Sequence, residues 1–171
     1  MHFVLIGMPA SGKTTLCRHI AQHEHISGYD TDDIIQLHTL LEETCTPSEF
    51  YDSERDKIVQ WLSDTSNFPK HTIIATGGSI VHRPESIEAF RKLPNVNIIW
   101  LYTPYTVIEK RLGDWKSRGI VLPPPIKSLK ELFQFREPLY RSYADFIIDT
   151  DTMKIDDCAS SILSRYTKNC Q

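Results

Sequence analysis

Residues 7–14 read Gly-Met-Pro-Ala-Ser-Gly-Lys-Thr and fit the phosphate-binding pattern G-x-x-x-x-G-K-[ST]. An apolar run at residues 3–6 predicts a buried parallel strand before this loop, and Leu16, Ile20 and Ala21 recur after it at helical spacing. The order suits a phosphate site, because backbone N–H groups and the positive end of a helix dipole then converge on the phosphate oxygens. The segment predicts a nucleotide-binding loop, with an ordinary glycine turn as the weaker alternative.

Two side chains at the end of the loop suggest phosphate chemistry. Lys13 is expected to bridge the β- and γ-phosphates of ATP, and Thr14 to offer its hydroxyl to Mg²⁺. The sequence therefore predicts ATP and Mg²⁺ as cofactors. The candidate nucleotide-binding residues here are Gly7, Pro9, Ala10, Ser11, Gly12, Lys13, Thr14 and Thr15.

Strand and helix patterns alternate along the rest of the chain. Strand patterns occur at residues 25–30, 72–76, 96–102 and 146–148, with helical patterns between them and after the last. Such alternation is typical of a parallel sheet with helices on both faces. The sequence predicts an α/β fold of P-loop NTPase type, with about five strands in one nucleoside-monophosphate-kinase-like domain over residues 1–171.

Two helices have recognisable start signals. Thr46 and Glu49 have capping-box spacing, and Pro47 suits the first turn of the helix that they begin. After the second strand, Asp32 or Asp33 is expected to cap a helix that starts at residues 34–35. The helix after Thr46 is expected to bury Phe50, Ile58, Trp61 and Leu62.

Residues 113–125 lack any periodic pattern. The stretch holds two glycines and three consecutive prolines, which favour irregular structure. It also contains Arg118, which a closing loop would bring onto the phosphates. The sequence therefore predicts a mobile lid.

Composition and charge narrow the possible partners. The net charge of −3 argues against a nucleic-acid partner bound by a basic face. The chain has neither a long apolar run for a membrane span nor a signal-peptide pattern at its start. Its four cysteines are scattered and are expected to be reduced thiols. We therefore expect a cytoplasmic monomer that acts on a small molecule.

Polar residues follow the second and third predicted strands. Asp30 and Asp32 come after the second, and Gly77, Gly78 and Ser79 after the third. Because parallel strands end at one edge of the sheet, these groups should lie near the phosphate loop. One aspartate would hold Mg²⁺ through water and the other would orient an attacking hydroxyl, while the glycines would let a substrate approach the backbone.

Three arginines are candidate anion clamps: Arg111, Arg118 and Arg136. Each alone is more often a solvated surface residue, and Arg118 gains weight from its place in the predicted lid. The histidines lack metal-ligand spacing, so no zinc site is expected.

Taken together, these motifs resemble those of the shikimate kinase family over nearly the full length of the chain. Asp30-Thr31-Asp32 is similar to the family's D-[TS]-D motif, and Gly77-Gly78 matches two positions of its G-G-G motif. The resemblance implies that Asp30 supports Mg²⁺ and that Asp32 contacts substrate hydroxyls. It also implies substrate contacts at Gly77, Gly78 and Ser79.

The resemblance extends to the arginines. Arg111 is similar to the residue that begins the family's adenine-side segment, and Arg118 falls where the lid arginine is expected. Residues 136–140 resemble the family's R-x-P-L-Y motif, which implies that Arg136 binds the substrate carboxylate.

Three positions depart from the family pattern. The family has F-R-x-x-E before the third strand, whereas this chain has Tyr51 in place of the arginine. Ser79 replaces the third glycine, and Gly119 replaces the proline after the lid arginine. Arg55 lies one helical turn after Tyr51 and is a candidate substitute for the missing carboxylate clamp, with pairing to solvent or to a nearby acid as the alternative.

The resemblance implies an ATP-dependent phosphotransferase acting on a small polar metabolite, with shikimate converted to shikimate 3-phosphate in aromatic amino acid biosynthesis. Lys13, Asp32 and Arg118 would be the catalytic residues. One alternative is a gluconate-kinase-like or other polyol or sugar-acid kinase, which Tyr51 favours. The other is a nucleotide-binding regulatory module without catalysis, against which the retained Lys13, Thr14, Asp32 and Arg118 argue.

Overall fold

Strands and helices alternate throughout the residues that the computed structural model describes, which are 1–44, 46–64 and 68–168. The strands are β1 (His2–Ile6), β2 (Ser27–Asp30), β3 (Thr72–Ala75), β4 (Val96–Tyr102) and β5 (Phe146–Asp149). The α-helices are α1 (Lys13–Glu24), α2 (Thr31–Ile34), α3 (Leu37–Glu43), α4 (Pro47–Ser63), α5 (Pro84–Arg91), α6 (Tyr105–Leu112), α7 (Leu129–Tyr143) and α8 (Ile155–Lys168). Short 3₁₀ turns occupy Ile80–His82 and Trp115–Arg118.

One five-stranded sheet organises these elements, in the order β2-β3-β1-β4-β5. Every pairing in it is parallel, which confirms the predicted fold class. Since β1 lies at the centre, the loop that follows it emerges in the middle of the sheet's carboxyl edge. The loops after β2 and β3 emerge on one side of it.

The sheet is buried on both faces. Phe3 and Leu5 of β1 point into a core that α1 and α8 cover, and Val4 and Ile6 point into a larger core with α4 to α7. A strand buried on both sides is apolar at nearly every position, which explains the continuous apolar run at residues 3–6 of β1. Each such aliphatic side chain contributes roughly 1.5–3 kcal/mol of hydrophobic free energy to folding.

The predicted start of α4 is confirmed, and that of α2 is wrong. Thr46 and Glu49 form the reciprocal capping box at the head of α4. The cap of α2 is Asp30, whose side chain accepts from the Asp32 N–H, so the helix begins directly at Thr31. The strand thus passes into helix without a turn, and no extended segment separates the two aspartates. Trp61 is half-buried rather than buried, because it lies at the edge of the core.

Two of the four cysteines, Cys17 and Cys158, are free and buried. The other two, Cys45 and Cys170, lie outside the described residues. Across the described ranges, no helix combines the length and the apolar character that crossing a bilayer would require.

Candidate active site

The loop between β1 and α1 carries the phosphate-binding pattern. Gly12 caps α1 in a left-handed conformation, with φ of 96°, so that the helix begins at Lys13. The Lys13 ammonium donates to the carbonyl oxygens of Gly7 and Met8, at 2.9 and 2.8 Å. These bonds hold the positive charge above the loop, at the place where the sequence predicts phosphate oxygens.

Burial disfavours the charged form of Lys13 as long as no anion is bound beside it. Burial lowers the pKa of Lys13 to about 8, although the nearby Asp32 and Asp30 carboxylates oppose that shift. Among the described residues, Lys13 forms no ion pair at contact distance. A polyphosphate would supply the missing counter-charge and hold the lysine protonated.

Thr14 and Asp30 bring oxygen atoms together beside the loop. The Thr14 hydroxyl donates to Asp30 Oδ2 at 2.7 Å. Hydroxyl and carboxylate oxygens are the ligands that Mg²⁺ prefers, with water and phosphate completing its shell. No cluster of three or more acidic, histidine or cysteine ligands occurs within the described ranges. The pair therefore fits a metal ion that arrives with its nucleotide better than a permanently caged one.

A cavity of about 280 Å³ lies between the phosphate loop and α7. Asp32, Arg118 and Arg136 reach it from three different elements, α2, the segment before α7 and α7 itself. Its lining comprises Pro9, Ala10, Lys13, Thr14, Asp32, Leu37, Phe50, Thr76, Gly77, Gly78, Ser79, Leu112, Arg118, Gly119, Ile120, Val121 and Arg136. The structure thus brings the sequence-predicted catalytic residues and all but one of the substrate-binding candidates to one place.

The glycines after β3 form part of the cavity wall. A side chain at Gly77 would start 2.8 Å from Asp32 Oδ1 and 3.0 Å from Glu54 Oε1. At Gly78 it would start 2.7 Å from Pro9. Only glycine fits these close approaches, so both carboxylates come within about 3 Å of one point on the wall.

The pKa of the Asp32 carboxyl lies closer to neutral pH than that of an ordinary aspartate. Burial and the neighbouring Asp30 raise the pKa of Asp32 to about 6, while Lys13 lowers it. A carboxylate with this pKa retains its charge at neutral pH and accepts a proton more readily than a solvated aspartate. The arrangement suits a group that orients an alcohol hydroxyl.

Glu54, on α4, is a polar residue of this site that sequence reasoning missed. It is 3% exposed, and burial raises its pKa to about 7. The Ser79 hydroxyl donates to Glu54 Oε1 at 2.7 Å and partly offsets that shift. The signal was present, because Glu54 is the final residue of the F-x-x-x-E stretch in which Tyr51 drew attention. Ser79, at the departure from the third glycine, therefore serves as the partner of a buried acid.

Glu54→Gln is expected to stabilise the protein at alkaline pH. The folded protein binds the Glu54 proton more tightly than the unfolded chain, so wild-type stability falls as pH rises from about 4.5 to about 7. That loss amounts to about 3 kcal/mol, and the neutral amide avoids it. Melting temperatures of both proteins from pH 5 to pH 9 measure the difference. Ser79→Ala removes the hydrogen bond to the Glu54 carboxylate, so the stability of this variant should fall more steeply with rising pH than that of wild type. Identical pH profiles for wild type and Glu54→Gln would contradict the assignment.

Arg55 does not reach the cavity. Its guanidinium pairs with Asp52 at 2.8 Å and with Asp56 at 2.9 Å, both on its own helix. Two acids within one turn satisfy it locally, so it does not extend toward Tyr51 as the sequence analysis proposed. Tyr51 itself donates its hydroxyl to the Val121 carbonyl oxygen at 2.9 Å. The phenol therefore contacts the predicted lid, and its hydroxyl proton is already used there.

The predicted lid segment, 113–125, forms one side of the cavity. Arg118, Gly119, Ile120 and Val121 line it, with Arg118 itself exposed. Gly119 ends the turn Trp115–Arg118 in a left-handed conformation, with φ of 65°. Proline cannot adopt that φ, so the departure from the family's proline accompanies a different local backbone.

A second cavity of about 170 Å³ lies on the other side of the phosphate loop. Ser11, Gly12, Thr15, Arg111 and Thr150 line it together with apolar side chains. Arg111 donates to the Ala10 carbonyl oxygen at 3.2 Å, and the buried Ser11 hydroxyl has no partner among the described residues. The structure thus places the adenine-side candidate Arg111 and the start of α1 around one space.

Comparison with known proteins agrees with this site. The family model for shikimate kinase matches residues 9–167. The shikimate kinase of Thermodesulfovibrio yellowstonii is 31% identical over 98% of this chain and 95% of its own length. The solved Acinetobacter baumannii shikimate kinase in complex with shikimate has a TM-score of 0.72 and 25% identity, covering 98% of this chain and 93% of its own.

A gluconokinase from Sinorhizobium meliloti has a TM-score of 0.62 at 14% identity, covering 99% of this chain and 94% of its own. That likeness shows a shared fold alone. The family match, by contrast, spans the phosphate loop from Pro9 onward and most of the remaining chain. The sequence-based resemblance is thereby confirmed, and the chain belongs to the shikimate kinase family.

Proposed function

We propose that this chain is a single-domain, monomeric shikimate kinase of the cytoplasm, which transfers the γ-phosphoryl group of ATP to a hydroxyl of shikimate to give shikimate 3-phosphate. The observation that carries the proposal is the cavity that places Lys13, Asp32 and Arg136 around one small space. A small polyhydroxy acid fits this combination of a phosphate-loop lysine, a hydroxyl acceptor and a buried cation. The product would enter aromatic amino acid biosynthesis.

Three residues of the cavity have defined roles in this reaction. Lys13 and Arg118 spread the charge that develops on the transferred phosphoryl group, and Asp32 orients the attacking hydroxyl. Phosphoryl transfer depends mainly on positioning and electrostatic stabilisation, so rigid placement of these groups provides most of the catalysis.

Mg²⁺ is the metal that this site fits. Thr14 and Asp30, already hydrogen-bonded to each other, would hold it beside the phosphate loop. When bound with ATP, it neutralises phosphate charge. The protein's own part is to present two oxygen atoms at the head of α1 and the end of β2.

Tyr51 affects the choice of acceptor. With tyrosine at this position and Arg55 paired elsewhere, the cavity offers the substrate carboxylate one buried arginine, Arg136. Losing one charged partner weakens carboxylate binding by about 1.5–3 kcal/mol. The same observation favours a second candidate, a kinase for another polyol or sugar acid.

An acceptor panel distinguishes these functions. Purified protein is incubated with ATP, Mg²⁺ and shikimate, gluconate or other polyols, and the phosphorylated product is identified by mass. Shikimate 3-phosphate as the main product supports the proposal. Preferential phosphorylation of another acceptor would identify that compound, and not shikimate, as the substrate. ATP binding without turnover on any acceptor would indicate a regulatory module.

We also propose that residues 113–125 move as a lid. Hydrogen exchange of backbone amides in this stretch is expected to slow when a nucleotide and an acceptor are both bound, because Arg118 and Val121 already face the cavity. Mass spectrometry of the exchange in free and doubly bound protein measures the change, with α5, which lines neither cavity, as the internal control. Equal exchange of residues 113–125 in both states would show that the segment does not close.

A further inference from the structure

Arg136 is a buried cation that lies near enough to the Glu54 carboxyl to oppose the rise in its pKa. It lies on α7, is 2% exposed and lines the acceptor cavity. Among the described residues it forms no ion pair at contact distance. Its Nη1 atom lies 3.2 Å from the point where a Gly78 side chain would begin, at the cavity wall. A buried guanidinium in this position requires something other than a salt bridge to fix its direction.

His82 provides that fixed point. The Arg136 Nε–H donates to His82 Nε2 at 2.8 Å. Because arginine only donates, the imidazole must be neutral with its proton on Nδ1. Burial, together with Arg136 and Arg83, lowers the pKa of His82 to about 3, so the ring stays an acceptor at physiological pH. The bond takes the Nε side of the guanidinium. Arg136 also interacts with the Tyr51 and Tyr140 hydroxyls, and its Nη1 atom lies at the cavity wall beside Gly78.

Two aromatic rings hold His82 itself in place. Tyr51 stacks on the imidazole with ring centroids 4.2 Å apart, and Phe135 stacks on it at 5.6 Å, both at 16° between planes. Phe135 and Arg136 are neighbours on α7, while Tyr51 belongs to α4. The tyrosine that replaces the family's arginine thus supports the remaining arginine through His82.

We propose that His82 is a positioning residue for the acceptor: held between Tyr51 and Phe135, it turns the Arg136 guanidinium into the cavity to receive an anionic group of the substrate. This inference rests on the proposed function for the identity of that substrate. It assigns a role in acceptor binding to a histidine that is not itself among the residues lining the cavity.

Two substitutions separate the hydrogen bond from the packing. His82→Phe keeps a flat ring between Tyr51 and Phe135 but removes the acceptor, whereas His82→Gln keeps an acceptor oxygen and loses the ring. We expect His82→Phe to raise the KM for shikimate about ten-fold, the scale of a charged hydrogen bond, and to leave kcat and the KM for ATP unchanged. His82→Gln should restore most of the affinity. His38→Phe, at an exposed histidine on α3, is the control for an added phenylalanine.

The outcomes are decisive in either direction. Equal KM values for shikimate in wild type and His82→Phe, or a parallel rise in the KM for ATP, would overturn the proposal. So would a larger loss in His82→Gln than in His82→Phe, since the packing of the ring and not the hydrogen bond would then matter. If His82→Phe does not fold by circular dichroism, His82→Leu removes the acceptor instead. A wild-type protein that is inactive on shikimate would refute the proposed function separately. The variants would then be compared on the acceptor that the panel identifies. If that acceptor carries no anionic group, the proposed role of His82 is overturned.

Discussion

Lys13→Ala is expected to abolish phosphoryl transfer in a protein that still folds. The ammonium lies over the phosphate loop, bonded to the Gly7 and Met8 carbonyl oxygens, and would meet the charge that develops on the transferred group. Removing a preorganised charge of this kind lowers kcat by on the order of 10³-fold or more. A coupled assay of ADP release at saturating ATP and shikimate measures the loss.

Folding should survive this change, because a lysine with a pKa lowered to about 8 by burial contributes little stability of its own. Circular dichroism and thermal melting check that expectation. Lys110→Ala, at an exposed lysine of α6, is the control for removal of a positive charge. Near-normal turnover by folded Lys13→Ala would mean that this loop is not the catalytic one.

Asp32→Asn is expected to reduce kcat by about 10³-fold while the affinity for ATP changes little, since a positioned acid or base typically contributes 10²–10⁴-fold. Asp32 faces the cavity next to Gly77, on the acceptor side of the phosphate loop. Asparagine keeps the size and shape of the side chain but cannot accept the hydroxyl proton. Steady-state kinetics and nucleotide titration separate the two effects.

The same residue predicts a pH profile. Since burial and Asp30 raise the pKa of Asp32 to about 6, wild-type kcat/KM should fall as pH drops through about 6, where the carboxylate becomes protonated. The small remaining activity of Asp32→Asn should lack that limb. Asp56→Asn, at an exposed aspartate on α4, is the control for loss of a carboxylate and should behave like wild type. A loss of ATP affinity with unchanged acceptor kinetics would assign Asp32 to the nucleotide instead.

Local sequence signals predicted the parts of this molecule that depend on local physics. The phosphate loop, the capping box of Thr46 and Glu49, and the apolar strands each follow from neighbouring residues, and the structure has them. The cap of α2 was misassigned because a strand that ends directly in a helix gives no turn residues to read. The convergence of the loops after β1, β2 and β3 was predictable, because strand ends in a parallel sheet share an edge.

Contacts between distant segments were not predictable in the same way. Arg55 had a plausible target one turn away, but Asp52 and Asp56 are as near and carry opposite charge. The bond from Arg136 to His82 joins residues 54 positions apart, and neither residue reveals the other in the sequence. The F-x-x-x-E stretch could have indicated Glu54 but not its burial, which depends on Gly77 and Ser79 in the segment after β3.

In the lid movement that we propose for residues 113–125, the hydrogen bond from the Tyr51 hydroxyl to the Val121 carbonyl oxygen would affect how fast substrates enter. It is made by the protein alone, so it favours the shut arrangement whatever the cavity holds. A net hydrogen bond of about 1 kcal/mol shifts the ratio of shut to open molecules about five-fold. In that movement an acceptor would enter only while the lid is open, which would lower its association rate constant and its apparent affinity by the open fraction. The same bond would slow product release. Reactants would then enter and leave the cavity more slowly, but they would remain in it together for longer.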